Sequence, residues 1–95
     1  MAARPVRIGI IGDFNPEYRS HQATNAALCH AAASLSIAVD VTWVPTTSLR
    51  DPGADRALES FNGLWAASGS PYSSMEGALN GIRFARVRNW PFTGT

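Results

Sequence analysis

Two stretches of the chain invite comparison with loops that hold negative charge. Ser68-Gly69-Ser70-Pro71 follows the apolar run Leu64 to Ser68 and precedes a helix-like segment. A loop at such a junction presents backbone N–H groups that can point at an anion or at the oxyanion of an acyl-transfer intermediate, and it needs a small residue such as Gly69. A tight strand-to-helix turn with no ligand is the competing reading, and the local pattern taken alone favours it. The second stretch, Gly12-Asp13-Phe14-Asn15, has neither the G-x-G-x-x-G spacing nor the lysine of a nucleotide loop. It reads as a turn in which Asp13 or Asn15 bonds its own backbone.

The remaining reactive side chains are scattered. Cys29 sits among alanines in the middle of a helical pattern with nothing nearby to activate it, so it is expected to be a small buried hydrophobe. A single cysteine also excludes an internal disulfide framework and a cysteine-rich zinc cage. His21 and His30 are nine residues apart, which does not place them on one helix face at i, i+4, and no third metal ligand is apparent. His21 could face a strand-end cleft, but a capping or surface role is the favoured reading. Trp43, Trp65 and Trp90 lie in or beside strand-like runs, where core packing accounts for them. No metal and no cofactor is implied.

The elements that must position these residues follow from the hydrophobic pattern. Val6 to Gly12 is apolar and β-branched, which suits a central strand covered on both faces. Arg19 to Leu35 has helical spacing, with Thr24, Ala27, Leu28, Ala31 and Leu35 on the expected inner side. Ile37 to Val44 is a second strand, stopped by Pro45. A turn-rich stretch then leads to a short helix over 54–60 that Asp51-Pro52 can introduce, although Gly53 weakens that start. After a third strand at Leu64 to Ser68, Ser73 or Ser74 caps a helix from Met75 to Arg88, with Glu76 at capping-box distance from Ser73. Its expected inner face is Ala78, Leu79, Ile82 and Ala85 or Arg86. Asn89 ends that helix, and a fourth strand begins at Trp90.

The order β-α-β-α-β-α-β predicts an α/β fold: an open parallel sheet of about four strands with helices on both faces, flavodoxin-like, linked by right-handed crossovers. Ligands in such sheets collect beyond the carboxyl ends of the strands. Four loops qualify: Gly12 to Tyr18, Pro45 to Ser48, Ser68 to Ser74, and the end at Gly94-Thr95. With 95 residues, one domain is expected, and 45% hydrophobic residues suffice for a core. Eight Lys+Arg against seven Asp+Glu leave a formal charge of +1, without the basic stripe that nucleic-acid binding needs. Charged residues interrupt the longest apolar runs, so neither a membrane span nor a secretory signal is expected, and the cytoplasm is the expected compartment. The fourth strand leaves a sheet edge uncovered, which predicts association through that edge as a homo-oligomer.

The runs VRIGIIGDFNPEYRSHQATNAAL, VDVTWV and FNGLWAASGSPYSSMEGALNGIRFARVRNWPFTGT together resemble the first half of the class I glutamine amidotransferase domain of CTP synthase, and in particular its stand-alone relatives, some of them selenoproteins. The resemblance spans nearly the whole chain and is most specific from Asn62 to Thr95. It implies that the Ser68–Pro71 loop supplies an oxyanion-hole N–H from Gly69, with Ser70 beside it, and that Ser68, Pro71 and Tyr72 lie against the glutamine. The loop departs from the Gly-Gly-Phe-Gly of CTP synthase. In the family a cysteine nucleophile stands immediately after the Gly-Thr pair, and the catalytic His and Glu come later. Thr95 is then the residue before the nucleophile, and the 95 residues alone are expected not to hydrolyse glutamine. A UGA codon, specifying selenocysteine, is the expected next triplet, with a natural stop or a deliberate cut after Thr95 as the alternatives. Two other functions compete: a non-catalytic module that self-associates through its sheet edge, and a small-ligand binder, which the missing phosphate motifs disfavour.

Overall fold

The computed structural model describes residues 5–51, 53–67 and 72–94. In chain order it contains β1 (Val6–Ile11), α1 (Arg19–Leu35), β2 (Val39–Val44), a 3-10 turn (Thr46–Arg50), α2 (Ala54–Glu59), β3 (Gly63–Ala66), α3 (Met75–Val87) and β4 (Phe92–Gly94). The four strands pair in parallel in the order β2-β1-β3-β4. The alternation of strands and helices therefore gives the parallel sheet it predicts. The chain steps to one side of β1 for β2 and to the other for β3, so the strand order reverses between β1 and β3. That switch point is where a parallel sheet opens a crevice at its carboxyl edge.

β1 is central because both its faces are covered: Ile10 and Ile11 are wholly buried. Consecutive side chains point to opposite faces of a strand. The register pairs Ile10 with Trp43 and Trp65, and Ile11 with Val44 and Ala66. The first set faces α1, whose His21 ring lies 4.7 Å from that of Trp43. The second set faces α3, α2 and the 3-10 turn, and there Ile11, Val44, Leu49, Leu58, Phe61, Leu64, Ala78, Phe84 and Ala85 form the core cluster.

α3 approaches this face so closely that a Cβ on either of two of its residues would meet a neighbour at less than 3 Å. A Cβ on Gly81 would lie 2.7 Å from Ile11 Cδ1, and one on Gly77 would lie 1.7 Å from the Thr46 carbonyl oxygen. The second clash is with backbone, which has no rotamer to move. The inner face is accordingly Gly77, Ala78, Gly81, Phe84 and Ala85, rather than one containing Leu79 and Arg86, which are exposed. Small residues, not large ones, mark the contact.

Helix ends explain most boundary shifts. Asn89 adopts φ 52° after α3, its N–H donates to Arg86 O, and Trp90 N–H donates to Ala85 O. This is a Schellman closure, and it draws Trp90 into the helix terminus so that β4 starts at Phe92. Ser36, at φ 54°, closes α1 in the same way through Ala33 O and Ile37 N–H to Ala32 O, which delays β2 to Val39. Gly53 (φ 93°) is the N-cap of α2, and Pro52 lies outside the described residues. The stretch after Pro45 is a 3-10 turn rather than an irregular one.

α1 differs from its expected packing. His21 and Thr24 are buried, whereas Ala27, Ala31 and Leu35 are exposed, with Leu35 at 67%. Cys29 is exposed too, which corrects its expected role as a buried hydrophobe. The reason is position: among the described elements α1 packs mainly on β2, an edge strand, and nothing covers its outer side. No helix of the described residues is long and apolar enough to cross a membrane.

Candidate functional site

Three loops leave the carboxyl edge of the sheet next to one another, and one carboxylate ties them together. Asp13, just past β1, accepts three hydrogen bonds. Thr46 N–H donates to its Oδ1 at 3.0 Å, the Thr46 hydroxyl donates to its Oδ2 at 2.7 Å, and Ser73 N–H donates to the same Oδ2 at 2.9 Å. Thr46 is wholly buried, and its hydroxyl oxygen in turn accepts from Ser74 N–H at 2.9 Å. The turn after β1, the turn after β2 and the start of α3 are thereby fastened at one point. Of the two residues expected to bond their own turn, Asn15 does so, accepting from Glu17 N–H at 2.9 Å, and Asp13 bonds the distant segments instead. Nothing in the spacing of residues 13, 46 and 73 announces this contact, because it forms only once the parallel sheet brings the strand ends together.

Burial acts to raise the Asp13 pKa, but the hydrogen bonds from Ser73 and Thr46, together with the neighbouring His21, outweigh it and hold the carboxyl below its ordinary 3.8. Tyr72 moves the other way: burial, reinforced by the charge of Asp13, raises its phenol above 10.0. The phenol is therefore protonated near neutrality, and its O–H donates to Ala67 O at 2.7 Å.

Ala67 and Tyr72 are the two residues flanking the Ser68–Pro71 segment. Ala67 is also held by its N–H, which donates to Ile11 O at 3.0 Å. Ser68, Gly69, Ser70 and Pro71, the segment expected to offer N–H groups to an anion, lie outside the described residues, as does Thr95. Of the expected site residues, Tyr72 is described: it is half-buried, with its hydroxyl turned back to the loop's base. Helix α3 starts directly behind, capped by Ser74, whose Oγ accepts from Gly77 N–H at 3.1 Å. Because Ser74 is the cap, Glu76 falls one position short of a capping box, and Ser73 is committed to Asp13 instead.

His21 is buried, correcting the surface or capping role expected for it. Its Nδ1 accepts from Asn15 N–H at 3.0 Å, and its ring sits among Phe14, Tyr18 and Trp43. It shapes the turn after β1. Trp43 and Trp90 fulfil their packing role and also donate, to Asn25 Oδ1 and Phe61 O. Among the described residues no group of three or more His, Cys, Asp or Glu is placed to hold a metal. A groove of about 380 Å³ lies elsewhere, between α3 and the segment that runs from the 3-10 turn into α2. Arg50, Arg83 and Arg88 line it with Asp51 and Asp55, and none of Asp13, Thr46, Tyr72 and Ser73 does.

β4 runs parallel beside β3, with Gly94 opposite Ala66. The segment after β3 and the end of β4 therefore leave the same sheet edge as neighbours, about 5 Å apart at the strands. This arrangement can set an N–H donor against a group carried just past β4.

No protein-family model matches the chain. It is 33% identical over 89 residues to the CTP synthase of Acidobacterium capsulatum, 28% identical over 89 residues to that of Campylobacter jejuni, and 29% identical over 87 residues to that of Sulfurimonas denitrificans. These alignments cover 94%, 94% and 92% of this chain but 16% of each relative's length. Among solved structures, the glutaminase domain of Trypanosoma brucei CTPS with bound acivicin superposes with a TM-score of 0.77 at 22% identity, covering 94% of this chain and 35% of that one. The chain is a relative of the CTP synthases over one stretch of their length, and it has the α/β fold of the matching part of a glutaminase domain.

Proposed function

We propose that these 95 residues are the N-terminal half of a glutamine amidotransferase domain that hydrolyses glutamine to glutamate and ammonia. The observation that supports the reading is the parallel pairing of β3 with β4, which ends the two strands, at Ala66 and Gly94, side by side on one sheet edge. In the proposed reaction a cysteine or selenocysteine following Thr95 attacks the side-chain amide carbon of glutamine. The tetrahedral oxyanion is stabilised by the Gly69 N–H, with Ser70 beside it, while Ser68, Pro71 and Tyr72 lie along the substrate. The carbon–nitrogen bond then breaks, ammonia leaves with a proton from a general acid, and water releases glutamate from the γ-glutamyl ester of sulfur or selenium.

The only cysteine within the 95 residues, Cys29, is on the outer side of α1 and away from this edge. The attacking group, the histidine and the glutamate are accordingly assigned to residues beyond position 95. Two measurements test this. Glutamate release should be absent from the purified 95-residue chain and present once the residues encoded after Thr95 are included; release by the 95 residues alone contradicts the assignment. The triplet after the Thr95 codon distinguishes selenocysteine, read from UGA, from cysteine.

Self-association through the β4 edge is the second reading. β4 has three residues on an open sheet edge, and Phe92 there is 40% exposed. Light scattering on the 95-residue chain should give a mass above 10.2 kDa, and Phe92→Lys should return it to the monomer. A monomeric wild type removes this reading and leaves the glutaminase proposal intact.

A further inference from the structure

The groove between α3 and the segment entering α2 takes no part in the proposed reaction, and its lining carries both signs of charge. Its floor is the packed core: Leu49 and Phe84 are 2% and 4% exposed, and Val87, 73% exposed, adds apolar surface at the rim. Its volume of about 380 Å³ falls among those of small-ligand pockets, about 300–1,000 Å³. Two of its three arginines are engaged with carboxylates outside the lining, Arg88 with Glu59 at 2.8 Å and Arg50 with Glu76 at 3.8 Å. Arg83 on α3, and Asp51 and Asp55 on the other wall, have no ion-pair partner within 4.0 Å among the described residues. All three are exposed. One cation and two anions thus share a cavity without closing on each other. A guest with a single charge meets attraction from one wall and repulsion from the other, whereas a guest with both charges pairs with both walls at once. Asn80, whose Nδ2 donates to Leu49 O at 3.0 Å, keeps its Oδ1 as a further acceptor.

We propose that this groove binds a small zwitterion with an apolar side group, an α-amino acid or a short peptide. Its carboxylate pairs with Arg83, its ammonium with Asp51 or Asp55, and its apolar group lies over Leu49, Phe84 and Val87. The proposal is independent of the glutaminase reading.

The test is an NMR titration of the 95-residue chain with L-leucine and with leucyl-leucine, set against isocaproate and isoamylamine, which keep the leucine side chain and one charge each. Saturable amide shifts are expected at Arg50, Asp55 and Arg83, with Asp13 and Thr46 unmoved. The better of the two zwitterions should bind at least about tenfold more tightly than either singly charged analogue. Tighter binding of leucine assigns the groove to a free amino acid, and tighter binding of the dipeptide assigns it to a peptide. Equal binding of isocaproate or isoamylamine, or no saturable shift with either zwitterion, overturns the proposal; this comparison is made on the unsubstituted chain and needs no variant. Arg83→Ala, and Asp51→Asn combined with Asp55→Asn, should each weaken zwitterion binding by about tenfold, and Arg83→Lys, which keeps the charge, should bind more tightly than Arg83→Ala. Unweakened binding by Arg83→Ala also overturns it.

Discussion

The two faces of the sheet are built to different standards. On the α3 face, glycines at 77 and 81 bring the helix against the Thr46 backbone and the Ile11 and Leu49 side chains, and Ile11, Leu49 and Leu58 are at most 2% exposed. On the α1 face, a 17-residue helix buries two residues, and Leu35, Ile37 and Cys29 are exposed. Even the buried Trp65 indole N–H on that face has no partner among the described residues. The close-packed side is also the side on which Thr46 of the 3-10 turn holds the start of α3 through Ser74.

Substitutions across the two faces should separate them. The largest loss is expected for Ile11→Ala, about 2–5 kcal/mol by chemical denaturation, because a fully buried aliphatic side chain leaves a cavity. Gly77→Ala follows, at about 1–3 kcal/mol, since the new methyl meets the Thr46 carbonyl and the helix must back away. Equal tolerance of alanine at 77 and at an exposed α3 position such as Leu79 would remove the close approach from the account.

Acid provides the third contrast. The folded pKa of Asp13 lies below its ordinary 3.8, so its ionised form stabilises the fold in full above the usual carboxylate range. That contribution is lost as pH falls through the lowered value. Wild type should therefore lose more stability than Asp13→Asn between about pH 5 and pH 2, and the two should converge at the acid end. Parallel profiles would show that the carboxylate does not hold the strand ends. The smallest effect belongs to the α1 face: Leu35→Ala should stay within about 0.5 kcal/mol, and a loss comparable to that at Ile11 would mean this helix is covered in solution.

Much of the architecture was legible in the pattern. The apolar β-branched run at Val6 fixed the central strand, α1 ends where its spacing ends, and Asn89 announced the close of α3. Which face of a helix lies inward was less legible. Periodicity marks Leu79 and Leu35 as inner residues because they are apolar, but contact distance is set by where glycine permits approach and by whether a neighbour exists to cover the face. The role of Asp13 was invisible for another reason. Its partners are 33 and 60 residues away, and only the β2-β1-β3 order makes them neighbours.

The most direct test of a cradle facing a group just past β4 is to treat the longer protein with an electrophilic glutamine analogue and locate the adduct by peptide mass spectrometry. Attachment to the residue immediately after Thr95, abolished by competing glutamine, is the expected result. Attachment to Cys29, or glutamine hydrolysis with the residue after Thr95 left unmodified, would contradict the account.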